Sequence, residues 1–385
     1  MASINAGARV LLAGGGSAGH VNPLIAVASV LRERGIEVQA LGTAQGLEKD
    51  LVPAAGLTLH TIKKVPAPRR PNKAALTFAR DLRRTIHEVE RLIKKNGIEA
   101  IVGFGGYVSA PAYLAARAKG IPVIIHEQNV RAGLANKLGA RFAAVLALTF
   151  EQTALEAKKG VTEVTGLPLR ASIAELASDR SSEAGRNERR VEAAQKLGID
   201  PNKTTLLITG GSLGAKHLND VMVSAAGSFG DDIQVLHLTG KGKREGVDEA
   251  VRASGFKGTW IAREYASDME NYLASADLVV ARSGAGMVAE LTALGLPAVY
   301  VPLPIGNGEQ KLNASRQVEA GGALLFPDAD FSEKIVADYV VPLLNSKERL
   351  ASMAEKSAQL GITDAAKRVS DLVESVLAGV RGGLR

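Results

Sequence analysis

Two segments of this chain begin alike, and this repetition constrains the fold more than any other feature of the sequence. Residues 9–20 read RVLLAGGGSAGH, and residues 204–217 read TTLLITGGSLGAKH. Each is an apolar run of strand length that passes into a Gly-Gly-Ser turn and then into a helical pattern. That order is typical of the first strand and helix of a parallel sheet. We therefore expect two such sheets in the chain.

Short apolar runs continue to alternate with longer helical patterns after each of these starts. The alternation predicts strands at 9–13, 38–41, 100–102, 123–126 and 144–148, and again at 204–209, 234–238, 278–281 and 298–301. A chain of 385 residues is longer than a domain with a single hydrophobic core usually is. The sequence predicts an α/β fold of two Rossmann-like domains whose parallel sheets face each other across a cleft.

The segment between the two series is expected to be a linker followed by an insertion. Gly166 and Pro168 interrupt the apolar pattern at 165–170, as linkers often do. Residues 176–195 are polar and rich in charge. They predict an exposed helical insertion with a mobile middle.

The composition excludes several classes of function. The chain has no cysteine, which rules out disulfides, thiolate metal sites and cysteine nucleophiles and agrees with a cytoplasmic address. It has no apolar run of about 18 residues or more, so no transmembrane helix is expected. The first residues lack the basic and apolar regions of a signal peptide.

The positive charge is concentrated in the first part of the chain. Residues 1–165 hold 22 basic and 12 acidic side chains, whereas residues 166–385 hold 25 and 28. Residues 62–95 alone hold 11 basic and 3 acidic side chains, which should attract a phosphate-rich partner. Nucleic acid and anionic lipid both qualify. The aromatic content of 4% and the lack of an aromatic-studded basic motif favour lipid and argue against nucleic acid.

The first glycine turn matches a dinucleotide fingerprint, with glycines at 14, 16 and 19. A dinucleotide site also needs an acidic residue at the end of the next strand, but residues 40–43 read ALGT. Two interpretations of the first glycine turn remain: a plain tight turn, or a loop that contacts an anionic substrate. We favour the second. His20 follows directly and could accept a proton from a hydroxyl group, or it could be a capping or surface imidazole.

The segment 282–290, RSGAGMVAE, follows a predicted strand and opens a helix. Ser283 is a candidate N-cap, and the backbone N–H groups of 284–287 would form an anion site. Glu290 lies two helical turns beyond Ser283 on the same face, about 10 Å along the helix. This spacing suits a diphosphate at the helix end and ribose hydroxyls at the carboxylate. The alternative is a core helix with an incidental glutamate.

Three further polar segments have less specific patterns. Residues 306–313, GNGEQKLN, and 126–129, HEQN, could contact sugar hydroxyls or could be ordinary loops and caps. Asp328 and Asp330 form an Asp-x-Asp pattern that could hold a divalent cation on a nucleotide diphosphate. Because this pair directly precedes residues 331–334 (FSEK), we interpret it as a turn and helix cap. An anion site at a helix end also makes a metal dispensable.

Several ordered motifs together resemble the MurG family. These are 14–23 (GGGSAGHVNP), 103–109 (GFGGYVS), 126–129, 210–214 (GGSLG), 282–290 and 310–313 (QKLN). Members of that family transfer N-acetylglucosamine from UDP-N-acetylglucosamine to lipid I, the undecaprenyl-diphosphate-linked muramyl pentapeptide, and so make lipid II for peptidoglycan. The resemblance runs from about residue 8 to 375.

The resemblance implies the GT-B architecture and a division of labour between two domains. Residues 8–165, joined by a C-terminal helix at 366–381, would bind lipid I and face the membrane, and residues 166–365 would bind the UDP-sugar. The implied donor contacts are Asn129, Arg170, Ser212, Ser283, Gly284, Ala285, Gly286, Met287, Glu290 and Gln310. The implied acceptor contacts are Ser17, Ala18, Gly19, Gly105, Gly106, Tyr107 and Glu127, with His20 as catalytic base. Glu127 and the phosphate of the acceptor are alternatives for the base.

Two positions depart from the family pattern. Residues 166–168 read Gly-Leu-Pro, whereas the family often has Gly-Asn-Pro in the linker. Leu167 replaces the asparagine, so any role of the asparagine side-chain amide is absent. Glu309 replaces the first glutamine of a frequent pair, which puts the sugar contact of that position in doubt.

The chemistry implied is a single displacement that inverts the anomeric carbon, because an α-linked donor gives a β1,4 product. No cofactor or metal is required by this scheme. The rival functions are a GT-B transferase for another acceptor, a UDP-sugar epimerase and a non-catalytic binding module.

The helical pattern at 73–95 bears on the membrane. Its apolar stripe, with Phe78, Leu82, Ile86, Val89 and Ile93, is expected to be core. A basic face with Leu76 at its centre is expected to dock on the anionic cytoplasmic leaflet and make the protein peripheral, through Arg69, Arg70, Arg80, Arg83 and Arg84. A merely solvated basic face is the alternative.

Overall fold

The computed structural model of the chain describes residues 5–66, 73–211, 214–304 and 307–382, with the side chains of 73–76 outside that description. The chain divides into two compact units. The N-terminal unit runs to Arg170 and includes the chain again from Asp364, and the C-terminal unit is Ala171–Thr363. The segment at 166–170 therefore belongs to the N-terminal unit.

The N-terminal unit contains a seven-stranded parallel sheet of order β3-β2-β1-β4-β5-β6-β7. Its strands are β1 Arg9–Gly14, β2 Glu37–Gly42, β3 Thr58–Thr61, β4 Ala100–Gly105, β5 Val123–Glu127, β6 Val145–Leu148 and β7 Val161–Val164. Its helices are α1 Ala18–Glu33, α2 Glu48–Ala54, α3 Lys73–Asn96, α4 Ser109–Lys119, α5 Leu134–Gly139 and the C-terminal helix α17 Ala365–Gly382.

Both faces of this sheet are covered by helices, as the fully buried central strands require. One core layer joins β1 and β4 to α1 and α17, and the other joins them to α3 and α4. Helix α17 contributes Val369, Val373 and Leu377, which share one helical face and are fully buried. Arg34, the C-cap residue of α1, pairs with Asp371 and Glu374 of α17 at 2.6 and 2.7 Å.

The C-terminal unit contains a six-stranded parallel sheet of order β10-β9-β8-β11-β12-β13. Its strands are β8 Thr204–Thr209, β9 Ile233–Leu238, β10 Thr259–Arg263, β11 Leu278–Ala281, β12 Ala298–Tyr300 and β13 Ala323–Leu325. Its helices are α6 Ala171–Asp179, α7 Glu183–Leu197, α8 Lys216–Ser224, α9 Arg244–Ala253, α10 Met269–Ser275, α11 Ala285–Ala293, α12 Glu309–Asn313, α13 Ser315–Glu319, α14 Glu333–Ile335, α15 Val341–Leu344 and α16 Lys347–Ala358. Short 3₁₀ and π segments lie at Ala226–Ser228 and Val336–Val340.

The exposed helical insertion predicted at 176–195 is formed by the end of α6, a short turn and most of α7. Ser182 caps α7 by accepting a hydrogen bond from Gly185 N at 3.1 Å. Arg190 on α7 makes a bidentate pair with Asp277, with both distances 2.8 Å, and also donates to two backbone carbonyls. These bonds join the charged segment to the body of the C-terminal unit.

Candidate active site

In each unit the strand order reverses beside the first strand. The reversal lies between β1 and β4 in the N-terminal sheet and between β8 and β11 in the C-terminal sheet. Ligands of open parallel sheets bind outside the carboxyl ends of the strands at such a point. The segments that follow these four strands are 15–17, 106–108, 210–215 and 282–284. They include six of the predicted substrate-binding residues: Ser17, Gly106, Tyr107, Ser212, Ser283 and Gly284.

His20 lies in the first turn of α1, directly beyond the first glycine loop, residues 14–17. Its Nδ1 lies 3.0 Å from the carbonyl oxygen of Gly15 and 3.2 Å from Ser17 Oγ. The side chain is half-buried, and this burial lowers the pKa of His20, although the Gly15 hydrogen bond and the charges of Glu127 and Glu48 act in the opposite direction. A neutral imidazole of this kind can accept a proton near neutral pH.

The glycines that follow β4 pack directly against this loop. A Cβ atom on Gly105 would lie 3.0 Å from His20 Nε2, and one on Gly106 would lie 2.6 Å from the carbonyl oxygen of Gly15. Both have positive φ, at 94° and 84°. The structure thus brings Gly105 and Gly106 close to His20, with which the sequence grouped them in one candidate site. Only glycine fits at positions 105 and 106, because of the positive φ and the close contacts.

Tyr107 continues this surface. Its side chain is 45% exposed, and the ammonium group of Lys64 lies 4.6 Å from the centre of its ring. The neighbouring Ser17 and Gly19 are exposed, and Ala18 is half-buried. Of the predicted acceptor residues in the two glycine segments, Ser17, Gly19 and Tyr107 are therefore accessible from solvent in this unit, whereas Gly105 is buried.

The polar side chains at the end of β5 have structural roles. His126 is fully buried, and its Nε2 donates to the carbonyl oxygen of Gly166 at 2.9 Å. Burial lowers the pKa of His126 to about 4, so it is neutral at physiological pH. This bond ties the segment at 166–170 to the sheet.

Glu127 braces the loop that follows β5. One carboxylate oxygen accepts from Asn129 N at 2.9 Å, and the other accepts from Gly133 N at 3.0 Å and from Asn136 Nδ2 at 2.9 Å. The side chain is 2% exposed. With both oxygens engaged and buried, Glu127 is a poorer candidate for the base than His20.

Sequence reasoning missed Glu48, a carboxylate that is fully buried beneath the first glycine loop. It accepts hydrogen bonds from Gly16 N at 2.8 Å, from Thr43 N at 2.8 Å and from Thr43 Oγ1 at 2.7 Å. Burial alone would raise its pKa, but these donors hold the pKa of Glu48 below its ordinary value. The sequence signal that could have revealed Glu48 is the pair of glycines that precede it, Gly42 and Gly46. Neither has positive φ, so backbone conformation does not require glycine at these positions.

The start of α11 differs from the prediction in one respect. The N-cap is Gly284, not Ser283, because the backbone turns into the helix one residue later than expected. Ser283 Oγ is buried and has no hydrogen-bond partner within the described parts of the chain. The first turn of α11 has no acidic residue, so its N–H groups keep their attraction for an anion. Glu290, on the same helix, is 8% exposed.

Arg282 and Asp328 form an ion pair, with Nη1 and Oδ1 2.5 Å apart and both side chains largely buried. The arginine also donates to the carbonyl oxygens of Val301 and Pro302. Asp328 is thus engaged in holding the segment before α11. Within residues 5–66, 73–211, 214–304 and 307–382, the structure has no cluster of three or more metal-ligating side chains.

Helix α12 lies beside the start of α11. Asn313 Nδ2 donates to the carbonyl oxygen of Ser283 at 3.5 Å, and Gln310 Oε1 accepts from Leu303 N at 2.9 Å. The structure therefore places α12, the helix that carries Gln310, beside Ser283 and the start of α11. Arg170 is half-exposed at the last position of the N-terminal unit, and Asn129 lies in the loop after β5.

Four of the predicted site residues cannot be placed. Ser212, Arg69 and Arg70 lie outside the described residues, as does the side chain of Leu76.

Comparison with known proteins agrees with this arrangement. The N-terminal domain of glycosyltransferase family 28 matches residues 10–147, and its C-terminal domain matches residues 205–369. The chain belongs to glycosyltransferase family 28. The two parallel sheets confirm the predicted α/β fold class. The two matched domains and the relatives described below confirm the resemblance.

Two relatives of this family 28 chain match over nearly its full length. One from Bifidobacterium adolescentis is 47% identical and covers 95% of this chain and 98% of the relative. One from Clavibacter sepedonicus is 48% identical and covers 96% of each. Both are named UDP-N-acetylglucosamine–N-acetylmuramyl-(pentapeptide) pyrophosphoryl-undecaprenol N-acetylglucosamine transferase.

Solved structures show the same architecture. The crystal structure of Acinetobacter baumannii MurG aligns with a TM-score of 0.77 at 27% identity and covers 96% of this chain and 99% of that chain. A UDP-GlcNAc 2-epimerase from Neisseria meningitidis aligns with a TM-score of 0.66 at 14% identity and covers 95% and 99% of the two chains. The second likeness shows that the family 28 fold is shared with epimerases.

Proposed function

We infer that this protein transfers N-acetylglucosamine from UDP-N-acetylglucosamine to the 4-hydroxyl of the muramyl sugar of lipid I, which forms lipid II. The observation that carries this inference is the match to relatives named for this transfer, at 47 and 48% identity over nearly the whole chain. The geometry of each unit supplies groups suited to one half of the reaction.

The C-terminal unit is proposed to bind the donor. The start of α11 offers backbone N–H groups at 284–287 with no acidic residue in the first turn, which suits a diphosphate. Ser283 Oγ, which has no hydrogen-bond partner within the described residues, can add a bond to it. Glu290 is proposed to bind the ribose and Gln310 the sugar, with Ser212 as a further contact of this unit. Arg170 and Asn129, which belong to the N-terminal unit, are proposed to add contacts to the donor.

The N-terminal unit is proposed to bind the acceptor and remove its proton. The acceptor 4-hydroxyl attacks the anomeric carbon, the bond to UDP breaks, and the hydroxyl proton passes to His20 Nε2. The sugar is inverted in this single step, so no covalent intermediate is needed. The negative charge that develops on UDP is stabilised by the N–H groups at the start of α11. Ser17, Ala18, Gly19, Gly105, Gly106 and Tyr107 are proposed to line the acceptor site.

The reaction is proposed to need no divalent metal. Helix-end N–H groups can neutralise the leaving diphosphate, and Asp328, the first residue of the Asp-x-Asp pattern, is paired with Arg282. The proposal that no metal is needed does not depend on which residue is the catalytic base, because it concerns only the donor phosphates.

Attachment to the membrane is proposed to be peripheral. Each helix within the described ranges is too short or too polar to cross a bilayer. In α3, Val89 and Ile93 are buried in the core, whereas Phe78 and Leu82 near its start are only half-buried. The expectation that the whole stripe is core therefore holds only for the second half of the helix.

The basic side chains at the start of α3 are available to a charged surface. The side chains of Arg80 and Arg84 are 79% and 81% exposed, and Arg83 is also exposed. Arg84 lies 3.4 Å from Glu88 and Arg80 lies 3.8 Å from Asp81, pairs that water and salt weaken. We propose that this face, with Arg69 and Arg70, docks on anionic lipid of the cytoplasmic leaflet, where lipid I is anchored.

The direct test is a transfer assay with labelled UDP-N-acetylglucosamine and defined lipid I. We expect label in a butanol-extractable lipid, and we expect the rate to survive excess chelator. Epimerised UDP-sugar without acceptor would instead support an epimerase, and UDP binding without turnover would support a binding module. If chelation abolishes transfer and magnesium restores it, the proposal of metal independence is wrong.

A further inference from the structure

A buried carboxylate and an imidazole bind the two ends of one peptide group. Glu48 Oε2 accepts from Gly16 N at 2.8 Å, and the carbonyl oxygen of Gly15 accepts from His20 Nδ1 at 3.0 Å. This N–H and this carbonyl belong to the same Gly15–Gly16 peptide. Glu48 and His20 are therefore linked through a single planar, polarisable unit.

We propose that Glu48 is a positioning residue that acts on His20 through the Gly15–Gly16 peptide. It holds the neutral imidazole with the proton on Nδ1 and the lone pair on Nε2, and it makes Nε2 a stronger base. The proposal rests on the proposed function, in which His20 takes the acceptor proton.

The tautomer follows from the chemistry of the hydrogen bond. A carbonyl oxygen can only accept, so the contact between Gly15 and His20 requires a proton on Nδ1. The hydroxyl of Ser17, 3.2 Å away, can rotate to accept from the same proton. The lone pair of the neutral ring then lies on Nε2. Because Gly105 has no side chain, no Cβ atom occupies the space beside His20 Nε2.

The charge of Glu48 strengthens this arrangement. Because its donors hold the pKa of Glu48 low, the carboxylate is ionised at neutral pH. A carboxylate bound to a peptide N–H polarises the peptide and makes its carbonyl a better acceptor. The charged groups that bear on His20 are Glu48 on α2 and Glu127 at the end of β5, and both stabilise the protonated ring against the effect of burial.

The surroundings of Glu48 are built to admit its side chain. A Cβ atom would lie 2.4 Å from Glu48 Oε1 if added at Gly15, 2.5 Å from Cγ at Gly42 and 2.0 Å from Oε2 at Gly46. None of these three glycines has positive φ, so backbone conformation does not require them. Space for the carboxylate is the reason for glycine at each position.

The test is Glu48→Gln in the full-length chain, with ¹⁵N-labelled histidine. NMR titration would give the pKa and the tautomer of His20, assigned by comparison with His20→Ala. Loss of the negative charge should lower the pKa of His20 and reduce the Nδ1–H tautomer. The acid limb of kcat/KM should shift to lower pH, because this limb reports the base in the free enzyme.

The plateau of kcat should fall by about tenfold or more, a part of the 10²- to 10⁴-fold that a general base contributes. UDP affinity should not change, since the donor is proposed to bind the other unit. Glu99→Gln is the matched control. Glu99 also accepts a backbone N–H, from Arg9 at 3.1 Å, but it lies at the opposite end of β4 from Gly105.

Gly46→Ala tests the same link while keeping the charge. Its new methyl group would displace Oε2, the atom bound to Gly16 N, and should also reduce the Nδ1–H tautomer. Gly379→Ala, where a Cβ atom meets nothing within 4 Å, is its control. This variant decides the question if Glu48→Gln does not fold.

Unchanged tautomer and pKa of His20 in a folded Glu48→Gln or Gly46→Ala variant would overturn the proposal, even if activity fell. Glu48 would then be a structural brace only. If instead the NMR changes occur but His20→Ala retains full activity, the link stands and the assignment of His20 as base is wrong. The two failures are therefore distinguishable.

Discussion

The two glycine-rich segments that begin the two sheets are similar in sequence, but a buried negative charge lies behind the first and neutral buried groups lie behind the second. The first is braced by the ionised carboxylate of Glu48, which occupies Gly16 N–H. The groups behind the second are neutral: a Cβ atom on Gly214 would lie 2.4 Å from the carbonyl oxygen of Thr239, which accepts from Asn219 Nδ2 at 2.8 Å, and His237 Nε2 donates to Asn219 Oδ1 at 3.0 Å. Burial lowers the pKa of His237 to about 3, so the ring is uncharged.

This difference shows why a shared motif does not fix a shared ligand. A diphosphate at the first loop would face the negative charge of Glu48, with little water to screen it. At the reversal point of the C-terminal sheet, the start of α11 carries no such charge. We propose that the buried group behind the glycine loop, rather than the glycines themselves, suits one unit to a hydroxyl and its base and the other unit to a diphosphate.

The largest effect is expected for the base. His20→Ala should reduce kcat by about 10²- to 10⁴-fold, the usual contribution of a general base, because no other group there takes the proton as well. UDP affinity measured by calorimetry should be unchanged, since His20 belongs to the N-terminal unit. A loss smaller than about fivefold, well below that range, would assign the role to another group.

The next effect sharpens the donor side of the comparison. Glu290→Ala should weaken UDP binding by roughly 10- to 150-fold, as expected for a charged hydrogen-bond partner worth about 1.5 to 3 kcal/mol. Binding of lipid I should not change. Glu355→Ala, an exposed carboxylate on α16, is the matched control and should leave the UDP dissociation constant as it is. An unchanged constant in Glu290→Ala would remove the ribose assignment.

The smallest effect concerns the surface of the N-terminal unit. Changing Arg69, Arg70, Arg80 and Arg83 together to Gln should lower co-sedimentation with anionic vesicles at least tenfold, because each basic residue near such a surface contributes on the order of 1 kcal/mol. Rising salt should weaken binding of the parent protein steeply, since the screening length is about 8 Å at physiological ionic strength.

The control has the same change of charge in the C-terminal unit, at four exposed positions: Lys241, Arg244, Arg252 and Lys257. It should sediment like the parent protein. Equal loss in both variants would show that total charge, and not the face near α3, determines attachment.

The sequence predicted the centre of each sheet and missed its edges. All nine strands that it predicted are present, and the four that it missed are β3, β7, β10 and β13. These are the outermost strands of the two sheets. Edge strands are short and partly exposed, as TLHT in β3 and VTEV in β7 show. Without continuous burial they lack the apolar run by which central strands are recognised.

The site was predictable where one short segment holds the whole pattern. The glycine loops, His20 and the anion site of α11 are of this kind. Glu48 was not, because its partners at Gly16 and Thr43 come together only when β1 and β2 pair. Ser283 shows the limit of capping rules, since the helix begins one residue late and leaves its hydroxyl buried at the site.

The most direct test of this division of labour is the hydrogen-exchange footprint of UDP on the full-length chain. Amide groups at the start of a helix exchange readily unless a ligand binds them. We predict that saturating UDP slows exchange in residues 282–290 and leaves residues 14–20 unchanged. Slower exchange in 14–20, with 282–290 unaffected, would contradict the account.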